Sequence, residues 1–196
     1  AALALAACAE TPVAPAAGPT LPSASDDTCN VASHAGLIGK PLTDPAYQHR
    51  YSVDGSPAVG DVFWSGSWKT VLVTGLGQGG QSLFAMNITD PTAANEAAVA
   101  SKYLWDFTDQ QDADLGYPTG KPVITKLKNG KWVAIFGNGY NNTVADGNAS
   151  TTGNAVLYVV DISNGNLIRK ISTGAGMSAD PLGTSRPNGR ASPAVV

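Results

Sequence analysis

The sequence contains little of what catalytic, metal-binding and membrane-spanning proteins usually need. Its 196 residues include only two cysteines and two histidines, and its apolar run at Ala1 to Ala7 is far too short to cross a bilayer. Charged residues make up 14% of the chain, the formal net charge is −3, and there is no run of Lys or Arg. This composition argues against nucleic acid and anionic lipid as partners, because both need a basic surface.

Sequence signatures of catalysis are also missing. There is no Gly-x-Ser-x-Gly elbow, no metal-binding pair of histidines and no nucleophile with an adjacent base. His34 and His49 have no metal-like spacing with the cysteines and are interpreted as solvated loop residues. The sequence therefore predicts no catalytic residue, no cofactor-binding residue and no enzymatic activity.

The segment from Gly120 to Ile171 contains a complete four-stranded unit. Its four runs are short, rich in Val, Ile, Phe and Tyr, and bounded by Gly, Asn or Asp, as strands are: GKPVITKL, KWVAIFGNGY, NAVLYVVDI and NLIRKIST. Asn129-Gly130 and Asn164-Gly165 both predict tight hairpins of type I′. The long connection from Asn141 to Gly153 predicts a polar loop without an apolar anchor.

The same unit recurs along the chain. Pro57, Pro122 and Pro193 occupy the same place in successive units and are 65 and 71 residues apart. Repeats of four antiparallel strands are typical of propeller blades. The sequence thus predicts an all-β fold, a partial β-propeller with two four-stranded antiparallel blades and the first strand of a third. The predicted bounds are 51–108 for blade one, 119–173 for blade two and 191–196 for the start of blade three. Two blades cannot close a ring, so we interpret the chain as a fragment of a larger propeller.

Residues 1–46 are predicted to form an Ala/Pro-rich leader and a disordered linker, followed by the propeller at 47–196. Leu5-Ala6-Ala7-Cys8 resembles a bacterial lipobox, in which the cysteine carries lipid, although an Ala-rich low-complexity segment explains it equally simply. Cys8 and Cys29 could instead pair, and the sequence leaves these alternatives open.

A cluster of aspartates follows the first unit, at Asp106, Asp109, Asp112 and Asp114. Carboxylates this dense can bind calcium. However, the segment that begins at Asp112 departs from the EF-hand pattern at its fifth position and has no Glu at its twelfth. The favoured interpretation is a solvated loop between blades, with Asp112 and Asp114 as the weak candidates for a metal.

The segment Gly75 to Gly80 satisfies the dinucleotide fingerprint G-x-G-x-x-G. That motif requires a helix to begin next, because the helix N-terminus binds the pyrophosphate. Residues Gln81 to Ile88 are strand-like instead, so we interpret the glycines as a flexible hairpin loop.

Four stretches of the sequence together resemble a known family. They are HRYSVDGSPAVGDVFW, SWKTVLVTGLGQGG, DQQDADLGYPTGKP and WVAIFGNGYNNT with the following STTGNAVLYVVDISNG. In colinear order over Tyr47 to Val196 they are similar to the C-terminal propeller of the PilC/PilY family of type IV pilus tip proteins. The resemblance does not extend to residues 1–45, where the family has a large adhesive region.

The resemblance implies a bacterial, extracytoplasmic protein at the cell surface, the pilus tip or the outer membrane and periplasm. It implies a role in pilus assembly, retraction control and adhesion, with pilin or minor pilins and a host or abiotic surface as partners. The calcium loop of the family follows the strand that begins here at Ser192, so it would lie just beyond Val196. No cofactor is therefore expected within this chain.

Two alternatives remain. Leu157 to Gly165 also resembles the repeat of quinoprotein alcohol dehydrogenases, although the vicinal cysteine pair of those enzymes is absent. A periplasmic scaffold propeller is the other. For a pilus protein, the loops Asn141 to Gly153 and Asp109 to Gly120 are expected to project and meet partners. Deletion of Asn141 to Thr152 is expected to leave folding largely intact and to weaken partner capture.

Overall fold

The structure, a computed structural model, describes residues 51–143 and 148–195, apart from the side chain of Glu96. The predicted leader at 1–46, both cysteines and both histidines lie outside the described residues. Two four-stranded antiparallel sheets account for the strands of the described part. This confirms the predicted all-β fold class.

Each sheet is formed by consecutive strands in the order of the chain. The first sheet contains β1 (Ala58–Trp64), β2 (Ser67–Gly75), β3 (Ser82–Asn87) and β4 (Tyr103–Thr108). The second sheet contains β5 (Val123–Lys126), β6 (Trp132–Gly137), β7 (Val156–Asp161) and β8 (Leu167–Ser172). Short 3₁₀ turns lie at Gly77–Gly79 and Met177–Ala179.

One short helix interrupts the first sheet. α1 (Glu96–Ala100) lies between β3 and β4, and the side chain of Asn95 caps it by accepting a hydrogen bond from the Ala98 N–H at 2.9 Å. Sequence analysis did not predict this helix. With five residues it is too short to cross a bilayer, and no helix in the described ranges is long and apolar enough to do so.

The repeat seen in the sequence is a repeat of hydrogen-bond register. Gly75 pairs with Leu83 in the first sheet, and Gly137 pairs with Leu157 at the equivalent place in the second. Each sheet also has a register shift at the same step of its third strand, between Ala85 and Met86 and between Val159 and Val160. The two blades are therefore copies of one structural unit down to the position of a bulge.

The main core lies between the two blades. Phe107 of β4 contacts Phe136 and Tyr158 of the second blade, with ring centroids 5.6 and 5.1 Å apart, and these three rings are almost completely buried. Trp105 adds a polar link, because its indole N–H donates to the Ile162 carbonyl at 2.8 Å. Face-to-face stacking of the blades is therefore the main source of apolar burial in the molecule.

The faces that the blades use are also equivalent. Val71 and Val73 of the first blade pack against the second, and their register equivalents in the second blade are Val133 and Ile135. Those two residues form a separate apolar cluster with Val159 on the opposite side of the second sheet. Each blade thus presents the same face in the same rotational direction, as in a propeller.

The starts of three units converge on one place. Ala58, Pro122 and Pro193 line the same depression of about 390 Å³, and the backbone N–H of Lys121 donates to Ser192 Oγ at 2.8 Å. Arg190 forms one antiparallel bridge with Gly139, and 191–195 continues without a strand partner among the described residues. The structure thus brings together β1, β5 and the start of the third unit, as the innermost strands of neighbouring propeller blades are brought together.

The hairpin turns differ from the prediction. Asn129 and Asn164 do not have positive φ, and only the glycine that follows each of them does. The predicted type I′ turns at Asn129-Gly130 and Asn164-Gly165 are therefore both wrong. Positive φ at two successive residues occurs at Ser65 (52°) and Gly66 (76°), between β1 and β2. This is the type I′ hairpin of the structure.

The glycine-rich segment is a packing surface rather than a flexible loop. A Cβ on Gly79 would lie 1.6 Å from the Ser52 carbonyl oxygen, and a Cβ on Gly55 would lie 2.2 Å from that of Gly75. Leu76 between them is fully buried, and the backbone N–H of Asp54 donates to its carbonyl at 3.0 Å. These glycines let the segment that leads into β1 lie directly on the β2–β3 connection.

Candidate functional site: the loop end of the blades

The strand connections divide the molecule into two ends. We call the loop end the side with the connections that follow β2, β4 and β6, which are 76–81, 109–122 and 138–155. We call the hairpin end the opposite side, with the connections 65–66, 88–102, 127–131 and 162–166. Three of the four aspartates that the sequence singled out, Asp109, Asp112 and Asp114, lie at the loop end.

Asp112 and Asp114 are brought together by a lysine that is far away in sequence. The ammonium of Lys170, on β8, is 2.7 Å from Asp112 Oδ1 and 2.7 Å from Asp114 Oδ2. The side chains of the two aspartates are 13% and 15% exposed, and that of Lys170 is 32% exposed. A largely buried ion triad therefore ties the 109–122 connection to the outermost strand of the second blade.

Hydrogen bonding favours the charged forms of Asp114 and Lys170. Burial by itself would raise the pKa of Asp114, but hydrogen bonds from Lys170 and Ser150 outweigh it and hold that pKa below its ordinary value. Burial would likewise lower the pKa of Lys170, yet its bonds to Asp112 and Asp114 raise it. Asp114 and Lys170 are thus charged at neutral pH.

Tyr158 adds a contact from the blade core. Its hydroxyl donates to Asp112 Oδ1 at 3.0 Å, while its ring is fully buried against Phe107. Burial raises the pKa of Tyr158, and the charge of Asp112 raises it further. The phenol therefore stays protonated and remains a donor, so the core and the loop end share one side chain.

Two asparagines join the loops to each other. Asn138, fully buried at the end of β6, donates to the carbonyls of Asp114 and Asn154, both at 2.9 Å. Its Oδ1 accepts from the N–H groups of Val156 and Arg190, at 3.0 and 3.1 Å. A single amide therefore satisfies backbone groups of three segments, which is how buried polar groups are made compatible with a packed interior.

Asn142 repeats part of this arrangement. Its Nδ2 donates to the same carbonyls of Asp114 and Asn154, at 3.1 and 3.2 Å, and the residue is 1% exposed. Ser150 is also buried and donates to Asp114 Oδ1. The described residues of the 138–155 connection are thus anchored by polar groups. These contacts argue against the expectation that deletion of Asn141 to Thr152 leaves folding largely intact, which stays a prediction.

These contacts surround a shallow depression of about 280 Å³. Its lining includes Asp112, Asp114, Lys170 and the segment 149–152. Asp114 accepts hydrogen bonds from hydroxyls and an ammonium, and a carboxylate with a lowered pKa is a poor general base. The depression offers polar groups for contact with another molecule, and its chemistry does not favour proton transfer.

The weak metal candidates do not fit a metal ion in this arrangement. The position between the carboxylates of Asp112 and Asp114 is taken by the Lys170 ammonium. Asp106 lies on β4, where burial raises its pKa, and takes no part in the triad. Within 51–143 and 148–195, no group of three or more His, Cys, Asp or Glu residues is close enough to share a metal. That the chain holds no metal or cofactor stays a prediction.

Sequence analysis missed most of this site. It identified the aspartates but gave Lys170, Tyr158, Asn138 and Asn142 no role, because their partners are distant in sequence. A polar residue directly after a buried strand, as Asn138 is after β6, was the available signal.

The fold defines the class of the protein. Two copies of a four-stranded antiparallel unit, stacked face to face around a common axis, are consecutive blades of a β-propeller. The family model described as the PilY1 beta-propeller domain matches residues 32–196 of this chain. The chain therefore belongs to that family.

Similar proteins carry the same description. The chain is 47% identical over 139 residues to a "Type IV pilus biogenesis factor PilY1 homolog" of Xylella fastidiosa, and 39% identical over 149 residues to "Type IV pilus biogenesis factor PilY1" of Pseudomonas aeruginosa. These matches cover 71% and 74% of this chain but only 9% and 12% of the relatives.

A solved structure agrees with the comparison of sequences. The crystal structure of the Pseudomonas aeruginosa PilY1 C-terminal domain matches with a TM-score of 0.59 and 35% identity, over 84% of this chain and 28% of that one. The resemblance to the PilC/PilY family is thereby confirmed, and the quinoprotein alternative is not favoured. The expectation that the resemblance is absent from residues 1–45 is wrong for residues 32–45, which the family also matches.

Proposed function

We propose that this chain is part of a non-enzymatic protein of the type IV pilus, which acts outside the cytoplasm, at the cell surface, through contacts with other proteins. The observation that carries the proposal is the similarity of both blades to proteins named type IV pilus biogenesis factors. Assembly of pili, control of their retraction and attachment to a surface are the processes in which it takes part.

The geometry of the loop end supports contact rather than catalysis. The carboxylates at its depression share the ammonium of Lys170, and the surrounding loops are joined by Asn138 and Asn142. A rigid surface loses little conformational entropy on binding, which favours recognition. We propose that pilin or a minor pilin contacts this depression, with Ala149 at its exposed rim.

A chimera tests the proposal. The region of Pseudomonas aeruginosa PilY1 that matches residues 51–195 is replaced by those residues, and surface pili, twitching motility and attachment are measured in a strain that lacks its own copy. We expect the chimera to restore all three. Ala149→Trp fills the depression without removing any contact of the triad, and we expect it to reduce twitching about tenfold, the loss typical of a disrupted interface centre.

The matched control is Ala94→Trp, which adds the same ring at an exposed alanine of the hairpin end. It should leave twitching unchanged. A chimera that is exported and folded but restores neither pili nor twitching would contradict the pilus role. An equal loss of twitching in both variants would contradict the proposal that a pilin contacts the depression. Alcohol oxidation after addition of pyrroloquinoline quinone would contradict the non-enzymatic role.

A further inference from the structure

The first hairpin is longer than the second, although the blades are otherwise equivalent. By register, the pair Asp61–Thr70 corresponds to Lys126–Trp132, which is the last pair between β5 and β6. Three more pairs follow in the first hairpin only, ending with Trp64 and Ser67. At about 3.3 Å per residue, the paired ladder of the first hairpin is therefore about 10 Å longer, although the longer connection 127–131 of the second hairpin makes up part of that length.

This extension carries exposed aromatic rings. Phe63 is 45% exposed and Trp68 is 62% exposed, and their ring centroids are 5.6 Å apart. Trp68 also contacts Trp132 of the second blade, at 6.0 Å. We call Phe63, Trp68 and Trp132 the aromatic surface. Exposed rings in contact with each other are typical of interaction sites rather than of ordinary protein surface.

The extension is held in one conformation. Its type I′ turn at Ser65-Gly66 fixes the path of the backbone, and the ammonium of Lys69 donates to the Trp64 carbonyl at 3.2 Å and to Ser67 Oγ at 2.6 Å. The same ammonium lies 4.7 Å from the Trp64 ring centroid. The aromatic surface is thus largely preformed, which reduces the entropy lost when a partner binds.

Lysines lie beside the aromatic surface, although the chain as a whole has a net charge of −3. The ammonium of Lys126 lies 5.9 Å from the Trp132 ring centroid, and Lys128 is exposed in the adjacent turn. Asp61 accepts a hydrogen bond from Thr70. No described carboxylate forms an ion pair with Lys69, Lys126 or Lys128. A bound partner could therefore supply the missing negative charge.

We propose that the aromatic surface docks an acidic polypeptide segment that carries an aromatic or aliphatic side chain. The apolar side chain contacts the rings of Phe63 and Trp68, and flanking carboxylates of the segment face Lys126 and Lys128. Apolar contact gives the affinity, and the charges favour encounter and orientation. This site lies at the opposite end from the depression and does not depend on the proposed pilus role.

Binding of three labelled peptides to the full chain tests the proposal by fluorescence anisotropy at low salt. The probes are Glu-Glu-Leu-Phe-Glu-Glu, its charge-reversed form Lys-Lys-Leu-Phe-Lys-Lys, and Glu-Glu-Ser-Ser-Glu-Glu, which lacks the apolar pair. We expect the first probe to bind about tenfold more tightly than either of the others. Trp68→Ala and Lys128→Glu should each weaken its binding about fivefold or more.

Leu182→Ala is the matched control, because Leu182 is 68% exposed and lies far along the chain in the connection after β8. It should bind the first probe as the unaltered chain does. Equal affinity for all three probes, no detectable binding, or no effect of Trp68→Ala and Lys128→Glu would overturn the proposal. So would displacement of the first probe by neutral maltoheptaose or by phosphatidylglycerol vesicles, since either result would assign the surface to another class of ligand.

Discussion

The two ends of the blades use their side chains in opposite ways. At the loop end, Asn138 and Asp114 are largely or fully buried and make hydrogen bonds to several segments. At the hairpin end, Phe63 and Trp68 are exposed and contact mainly each other and Trp132. Polar groups are thus inside at one end, and aromatic rings are outside at the other.

The difference shows where stability and recognition are located. Buried polar groups stabilise a fold only if each has a partner, so removal of one leaves others unsatisfied. Exposed rings contribute little to stability because unfolding changes their exposure only modestly. We therefore expect substitutions at the loop end to affect the free energy of unfolding, and substitutions at the hairpin end to affect binding.

The largest effect is expected for Asn138→Ala. It removes four hydrogen bonds and leaves the N–H groups of Val156 and Arg190 without their acceptor, although Asn142 still donates to the carbonyls of Asp114 and Asn154. We expect the free energy of unfolding to fall by about 2–4 kcal/mol, as measured by urea denaturation.

The matched control for that substitution is Asn129→Ala at the hairpin end. Asn129 is exposed and its side chain accepts one hydrogen bond, from the Lys131 N–H at 3.1 Å. Its loss should cost less than about 1 kcal/mol. Equal costs for the two asparagines would show that Asn138 does not join the loops in the way the structure indicates.

The dependence of stability on pH separates the two ends further. The lowered pKa of Asp114 means that its contribution is present above the ordinary carboxyl value of 3.8 and is lost as pH falls through the folded pKa. The raised pKa of Lys170 means that its contribution is present below 10.5 and is lost as pH rises through the folded pKa. The triad is therefore weakened by both strong acid and strong base.

Lys170→Met tests this directly. Because it leaves Asp112 and Asp114 without their cation, we expect a loss of about 1–3 kcal/mol at neutral pH. The difference from the unaltered chain should shrink in strong acid, as pH falls through the lowered pKa of Asp114. Lys128→Met at the hairpin end should change stability by less than about 0.5 kcal/mol at every pH. A Lys170→Met difference that is constant with pH would contradict the triad.

Sequence patterns predicted the blades well for a physical reason. Strand periodicity, turn residues and the spacing of Pro57, Pro122 and Pro193 are local or repeated signals, and the structure places these units in the same register. The five-residue helix α1 was not predicted, because it is short and depends on one cap at Asn95. Local signals thus determine which units form and leave short deviations unpredicted.

The candidate sites were harder to predict because their contacts are distant in sequence. Lys170 is 58 residues from Asp112, and the Tyr158 hydroxyl reaches Asp112 across 46 residues. Trp68 and Trp132 are brought together only by the stacking of two blades. The sequence showed an aspartate cluster and favoured a solvated loop, and only packing reveals that Lys170 forms ion pairs with two of its carboxylates.

The smallest effect on stability is expected at the aromatic surface. Trp68→Ala removes a ring that is 62% exposed, so we expect the free energy of unfolding to fall by less than about 1 kcal/mol. Unfolding should be measured by circular dichroism, because the substitution itself changes the tryptophan fluorescence. A double-mutant cycle with Phe63→Ala should give a coupling of about 0.5 kcal/mol, the low end for an aromatic pair, because both rings face solvent. A loss above about 2 kcal/mol would show instead that the extended hairpin is part of the folding core. The proposed difference between the two ends would then be wrong, since the exposed rings of the hairpin end would stabilise the blades rather than present a surface to a partner.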